Sequence, residues 1–375
     1  MTQTAVEPRE ARTRRLDGLR LWAPDASTPT EAVQRLVAMQ GQEHPYALWS
    51  VAQRIEHDSR PTAADMAVAY DLGDVLRTHV MRPTWHLVAP ADARWLLTLT
   101  NGRVRRFNAP IFTRENIDDA LISRAIDLFA REVDRGRHRT RDQLRSALGD
   151  AGIHLSSLGF TCVLMAAELE RVLISGASDG KQRTHAAFDE RVPPGFVGGA
   201  SSFDRESALA ELAGRYVATR GPASVADLAA WSGLTIGDGR RGIALALERA
   251  PGSLEPVELD GQECWLAPAE LPRAPRSPRV DLVQAFDEYV MSYSRTRAHI
   301  FPDGFTPPTT PTTNMHWMLT DGVISGSWKH ELRSSDARLQ LRAITPLDDA
   351  TAAAVRVAVA DYGRYLGLPI ELVLQ

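Results

Sequence analysis

The same order of elements can be read three times in this chain: a short capped helix, a turn, a second helix, then two β-rich runs around a turn. The third copy is clearest. Residues 209–219 have helical spacing, and Gly221-Pro222-Ala223-Ser224-Val225-Ala226-Asp227-Leu228-Ala229-Ala230-Trp231-Ser232-Gly233-Leu234 reads as cap, short helix and turn. A helix over 236–248 follows, and 254–259 and 263–266 make a hairpin around Asp260-Gly261. In the second copy, Thr140-Arg141-Asp142-Gln143 resembles a capping box, a hydroxyl at the N-cap with an amide at N3. It opens a helix over 144–151; 160–172 is the next helix, and 173–176 and 185–188 are wing strands around Asp179-Gly180. In the first copy, 30–56 reads as helix, turn, helix, 63–76 as a helix, and 77–88 as a hairpin with Pro83 at its turn.

Helices followed by a two-stranded hairpin make a winged helix. The expected fold is therefore α+β, with three tandem winged helix-turn-helix units at 14–110, 111–200 and 201–270. The proline-rich stretch Leu271-Pro272-Arg273-Ala274-Pro275-Arg276-Ser277-Pro278 reads as a linker. Beyond it the pattern turns to strands at 280–286, 315–319, 323–328, 338–344 and 370–374, with one helix at 350–366. That predicts a β-rich, barrel-like domain over 280–375.

Composition excludes several classes. No run of about eighteen apolar residues is present, so no membrane partner is expected. The Arg-rich start lacks the apolar core of a secretory signal, and two distant cysteines, Cys162 and Cys264, fit a reducing cytoplasm. No phosphate-binding glycine loop or dinucleotide fingerprint appears, and His79, His86, His299 and His316 lack metal-ligand spacing, so neither cofactor nor metal is expected. The net charge of −4 hides an uneven distribution: Lys181 and Lys329 are the only lysines, and arginine is clustered. Arginine is the better fork for phosphate, and an acidic protein with one basic face can bind DNA. Arg105, Arg106, Arg137, Arg139 and Arg295 are the candidate phosphate contacts; a general preference for Arg over Lys is the plain alternative.

One short segment stands apart. In Leu36-Val37-Ala38-Met39-Gln40-Gly41-Gln42-Glu43-His44-Pro45, two glutamines flank a glycine where an apolar helix stops. Gly41 reads as the helix terminator, and Pro45 opposes continuation. Gln40 and Gln42 would leave the helix end together, as neutral amides able to hold a water or a polar ligand, or simply as solvated residues after a C-cap.

Three segments carry a family likeness: Gln40-Gly41-Gln42; Met81-Arg82-Pro83-Thr84-Trp85-His86-Leu87-Val88; and Ala285-Phe286-Asp287-Glu288-Tyr289 with Gly322-Val323-Ile324-Ser325-Gly326-Ser327-Trp328. Gly221 to Leu234 supports them. In this order, over about residues 14 to 372, they resemble the winged-helix DNA glycosylase family of AlkZ and YcaQ, on its AlkZ-like, Gln-x-Gln branch. The resemblance implies a C-shaped scaffold cradling duplex DNA, and hydrolysis of the N-glycosidic bond of bulky or cross-linked N7-alkylpurines, as DNA repair or self-resistance to a genotoxic natural product. It makes Gln40 and Gln42 the catalytic pair. Trp85 and His86 on the first wing are candidate lesion or groove contacts, with packing of Trp85 on a neighbouring helix the plain alternative. Asp287 and Tyr289 are read as lesion- or groove-facing or else scaffold residues of the family motif, Asp287 as a residue that orders the Arg295 loop before one that touches the sugar. Pro83-Thr84-Trp85-His86 departs from the Gly-Thr-Leu-His of some members, which bears on lesion scope.

The chemistry agrees. N7 alkylation makes guanine a cationic leaving group, so the enzyme has only to stabilise an oxocarbenium-like sugar and deliver water to C1′. Two amides can do this by position and dipole, although glutamine is a poor general base. Glu43 is the nearest carboxylate, a candidate to assist, with a solvated surface role the plainer reading. No lysine lies near the motif, which opposes a Schiff-base lyase and favours a monofunctional enzyme; a monomer is the expected state. The competing expectations are a non-catalytic winged-helix transcription regulator and a lesion-binding protein without activity.

Overall fold

The computed structural model describes residues 4–305 and 315–375; residues 306–314, within the expected C-terminal domain, lie outside the described residues. The chain opens with β1 (Thr4–Ala5) and α1 (Pro8–Gly18). Then come α2 (Pro29–Arg35), β2 (Ala38–Gln40), α3 (His44–Ala52), α4 (Ala63–Leu72), β3 (Leu76–His79) and β4 (Trp85–Val88), with strand order β2-β4-β3. After the long α5 (Pro90–Arg114) the order recurs in α6 (Asp119–Val133), β5 (Arg139–Thr140), α7 (Arg141–Asp150), α8 (Ser157–Leu169), β6 (Leu173–Ser175) and β7 (Thr184–Ala187), with strand order β5-β7-β6. Following α9 (Phe188–Arg191) it recurs again in α10 (Arg205–Arg220), α11 (Val225–Ser232), α12 (Ile236–Arg249), β8 (Glu255–Leu259) and β9 (Gln262–Leu266). There Ala223 bridges Trp265 on β9, taking the place of β2 and β5.

Local chemistry sets these helix starts. Thr62 with Asp65, Thr140 with Gln143, Ser224 with Asp227 and Thr235 with Asp238 form reciprocal capping boxes at α4, α7, α11 and α12. Each cap satisfies N–H groups that the helix cannot, worth about 1 kcal/mol. Gly73, at φ 91°, ends α4 four residues before the expected stop, and Leu76 already belongs to β3.

The C-terminal part comprises β10 (Val280–Val283), α13 (Glu288–Met291), β11 (His316–Thr320), β12 (Val323–Leu332), β13 (Ala337–Ala343), α14 (Asp349–Leu366) and β14 (Ile370–Leu374). It is β-rich as expected, but it is not a barrel. Its five strands lie in the order β10-β11-β12-β13-β14, so β10 and β14 are opposite edges of an open sheet, whereas closure requires the two edges to pair.

One apolar core runs through the first and third helix–strand blocks and the C-terminal sheet; the α6–α8 block has a second core around Phe129 and Phe160. The helix α3 is the wedge between the first block and the sheet. Its Trp49 packs at 5.1 and 4.9 Å from Tyr362 and Tyr365 of α14 and donates to the Leu282 carbonyl at 2.8 Å. The N-terminal segment is also built in. β1 pairs in parallel with β8. The fully buried Arg15 of α1 donates to the Pro222 carbonyl and to both oxygens of Thr296, tying the third block to the C-terminal part. Among the described residues no helix is long and apolar enough to cross a membrane.

Candidate active site

Gln40 ends a strand, not a helix. The helix α2 stops at Arg35, Val37 takes a left-handed conformation at φ 67°, and the chain turns into β2. β2 runs antiparallel to β4 with Gln40 opposite His86, and His86 opposite Thr78 on β3. The Gly41 N–H donates to the Trp85 carbonyl at 2.8 Å. A Cβ at Gly41 would sit 3.2 Å from backbone atoms of His86 and Leu87, so glycine lets the strand lie this close. Pro45 starts α3 instead of ending a helix, since its missing N–H and fixed φ suit a first turn.

The two amides consequently part company. Gln42 is exposed, its Oε1 3.4 Å from the Trp85 N–H. Gln40 is 2% exposed, and its backbone N–H, its backbone carbonyl and its side-chain oxygen are all engaged. Its outward backbone edge meets two side chains, one just after β10 and one at the start of α13: Gln284 donates to its carbonyl at 3.2 Å, and Glu288 accepts its N–H at 2.8 Å. Its side-chain Oε1 accepts from Arg82 Nη2 at 2.9 Å. The same Arg82 nitrogen lies 3.4 Å from His86 Nε2. His86 Nδ1 lies 3.0 Å from the Thr84 carbonyl, which can only accept, so Nδ1 carries the proton and Nε2 is the acceptor. Burial, and then the Arg82 charge, pushes the His86 pKa well below its ordinary value, so the ring is neutral. His86 is fully buried, which corrects its placement as a direct groove contact.

Trp85 is half-buried beside Gln42. The Arg77 guanidinium stands 4.0 Å from its ring centroid and His79 3.7 Å from it. Behind them Glu168 of α8 closes the free edge of β3, accepting the His79 N–H at 2.9 Å and pairing with its Nδ1 at 2.8 Å. Burial alone would raise the Glu168 pKa; the charge and hydrogen bonds of His79, with the charge of His185, outweigh it and hold it below the ordinary value.

Asp287 and Tyr289 are both fully buried, as scaffold residues would be, not on an exposed lesion face. Asp287 grips Arg54 at the end of α3 through two 2.8 Å bonds, accepts the Ser50 hydroxyl at 2.8 Å and caps α13 through the Tyr289 N–H. Tyr289 donates its hydroxyl to the Gly322 carbonyl at 2.7 Å. The Arg295 loop is ordered by Asp227, which accepts the N–H groups of Ser294 and Arg295 at 2.7 Å. Glu43 is no solvated surface group: its side chain is 14% exposed and lies 3.7 Å from His316 Nε2.

Glu288, absent from the sequence reading as a site residue, is the hinge of the arrangement. Besides Gln40 it accepts from Arg220 at 2.9 Å, Trp231 at 2.8 Å and Ser292 at 3.1 Å. The signals were its place inside Ala285–Tyr289 and, for Arg82, inside Met81–Val88.

A family model, DNA glycosylase AlkZ-like, matches residues 33–365. The chain belongs to the AlkZ-like DNA glycosylase family. It is an enzyme of DNA repair that acts on DNA, and the transcription-regulator expectation falls. In fold it is similar to the DNA glycosylase AlkZ of Streptomyces sahachiroi, with a TM-score of 0.74 at 19% identity, over 99% of this chain and 100% of that one. No curated protein matches.

The arginines of this AlkZ-like glycosylase divide by their partners. Arg105 pairs with Glu170 at 2.6 Å and Arg139 with Glu132 at 3.0 Å, so much of their charge is answered locally. Arg106 and Arg137 are exposed and bond only to main-chain carbonyls near them in sequence. Arg295 is exposed, and no ion pair to it is present among the described residues. The β2–β4 pair brings Gln40, Gln42, Trp85 and His86 together; the arginines sit on α5, around β5 and in the loop after α13.

Proposed function

We propose that this glycosylase hydrolyses the N-glycosidic bond of N7-alkylated purines in duplex DNA, bulky adducts and N7-linked interstrand cross-links included. The observation that carries the reading is that the two acid–base groups joined to Gln40, Glu288 directly and His86 through Arg82, are committed elsewhere. His86 is neutral, with its proton given to the Thr84 carbonyl. Glu288 is held by four donors. Such a site suits a base that already carries its positive charge. Water adds to C1′ as the C1′–N9 bond breaks, the bonding pair neutralises the cationic base, and the surplus proton of the water leaves to solvent. Gln40 and Gln42 supply position and dipole to that step. Lys181 and Lys329 lie on the β6–β7 connection and on β12, on neither β2 nor the strands of its sheet, which favours monofunctional hydrolysis over a Schiff base.

The three recurrent helix–strand blocks are read as winged helices, with units at 14–110, 111–200 and 201–270 and a C-terminal β-rich domain over 280–375, together forming a C-shaped cradle for duplex DNA. Arg106, Arg137 and Arg295 are the phosphate contacts best placed by charge, with Arg105 and Arg139 beside them, and Trp85 is the groove or lesion contact. The chain acts as a monomer. The test is release of 7-methylguanine from alkylated duplex DNA, run beside a binding assay. Release with first-order single-turnover kinetics is expected. Binding without release would leave a lesion-binding protein and contradict the proposal.

A further inference from the structure

We infer that Arg82 is a positioning residue that fixes which end of the Gln40 amide faces the reaction; the inference rests on the catalytic reading of Gln40 proposed above. A guanidinium has only donors. Arg82 Nη2 at 2.9 Å from the Gln40 side-chain oxygen therefore assigns that atom as the carbonyl and turns the NH2 group away from Arg82. The Arg82 nitrogen is itself held against the acceptor Nε2 of His86, whose tautomer is set by the Thr84 carbonyl. Because Gln40 and His86 face each other across β2 and β4, one guanidinium nitrogen spans the pair. The chain of contacts runs from the Thr84 carbonyl through His86 and Arg82 to Gln40. It begins at the residue before β4 and ends on β2.

The consequence is a division of labour between the glutamines. Gln40 has its carbonyl occupied and offers N–H donors, which suit a lone pair on the substrate, a sugar, phosphate or purine oxygen. Gln42 is exposed, and its carbonyl has only a long 3.4 Å contact to the Trp85 N–H. It keeps acceptor capacity for a hydrogen of the attacking water. The contacts of Arg82 run to Gln40 and His86, so its effect on the reaction is exerted through Gln40.

Single-turnover release of 7-methylguanine by Arg82→Ala, Arg82→Lys, Gln40→Ala, Gln40→Glu and the Arg82→Ala/Gln40→Ala double variant tests this, with duplex binding measured on each. Arg82→Ala should slow release by about 10- to 100-fold, no more than Gln40→Ala does, with binding little changed. The double variant should be no slower than Gln40→Ala alone, because residues acting as one unit are not additive. Arg82→Lys, which keeps one donor, should recover part of the rate. Gln40→Glu keeps the volume and pairs with Arg82 but has no N–H, so it should be as slow as Gln40→Ala. Additive losses, an undiminished Arg82→Ala or an active Gln40→Glu would overturn the assignment. A readout without turnover separates it from the proposed activity. In protein labelled with 15N at glutamine side chains, the amide pair missing from Gln40→Ala should shift in Arg82→Lys. An unmoved pair overturns the contact, whereas a shifted pair in a protein that releases no base would refute the activity alone.

Discussion

The carboxylate of Glu288 accepts the backbone N–H of Gln40 at 2.8 Å, joining residues 248 positions apart. With Gln284 on the Gln40 carbonyl, it gives an edge strand of the first block a partner made of side chains in place of another strand. An unpaired edge exposes obligatory donors and acceptors that must find partners. Here they find them in the C-terminal part, so that part holds the proposed catalytic strand in place besides contributing to the core.

Glu288 is therefore expected to matter for both folding and excision. Glu288→Ala would leave the buried Arg220 charge and the Trp231 N–H without their acceptor, at a cost of about 3–5 kcal/mol. Urea unfolding monitored by circular dichroism measures this. A loss below about 1 kcal/mol, the range of exposed pairs, would contradict the geometry.

The Asp287–Arg54 pair predicts acid sensitivity. Burial would raise the Asp287 pKa, but the Arg54 charge and hydrogen bonds, the Tyr289 N–H and the Ser50 hydroxyl bring it below the ordinary value. A depressed folded pKa contributes stability that is present above the unfolded value, near about 3.9, and is lost as pH falls through the folded value. The gap in urea midpoint between wild type and Asp287→Asn should narrow as pH is lowered from about 6 to about 3. A gap that stays constant or widens on acidification would argue against the ion pair.

DNA affinity should come from arginines whose charge is unanswered. Binding to undamaged duplex should weaken steeply with salt, and Arg106→Glu, Arg137→Glu or Arg295→Glu should each flatten that slope by about one phosphate contact. Arg105→Glu and Arg139→Glu should do less, because Glu170 and Glu132 already balance them. Equal effects at all five positions would show that local pairing does not decide which arginines meet phosphate.

Lesion scope follows from the leaving group. Bulky N7 adducts and N7-linked cross-links should be released within about tenfold of the 7-methylguanine rate, about 1.4 kcal/mol in barrier. Uracil, a poor leaving group, should be left intact, because two amides cannot supply acid–base help. Efficient uracil release, or failure on every adduct larger than methyl, would refute an open, leaving-group-dependent site.

Much of the fold was legible because it is written locally. The Thr140–Gln143 capping box, the Asp260-Gly261 hairpin and the helix at 236–248 each depend on residues a few positions apart. The reading failed where tertiary pairing overrides local pattern. Leu36 to Gln40 has apolar helical spacing, yet β4 draws 38–40 into a sheet. Arg15 sits in an Arg-rich start with nothing local to mark it as buried, because its partners lie more than 200 positions away. The same holds at the site. Gln40, Gln42 and Trp85 stood out in short motifs, whereas Arg82 and Glu288 gain their roles from contacts 42 and 248 positions distant. Asp287 and Tyr289 were visible as motif residues, but nothing in their spacing told a buried anchor from a groove contact.

The most direct measurement is the single-turnover rate of base release from an N7-methylguanine duplex by wild type, Gln40→Ala and Gln42→Ala, with DNA affinity determined in parallel. Each substitution should slow release by about 10- to 1,000-fold, the scale of losing one positioned group, while affinity changes little. Full single-turnover rates in both variants would contradict the assignment of catalysis to this pair of amides.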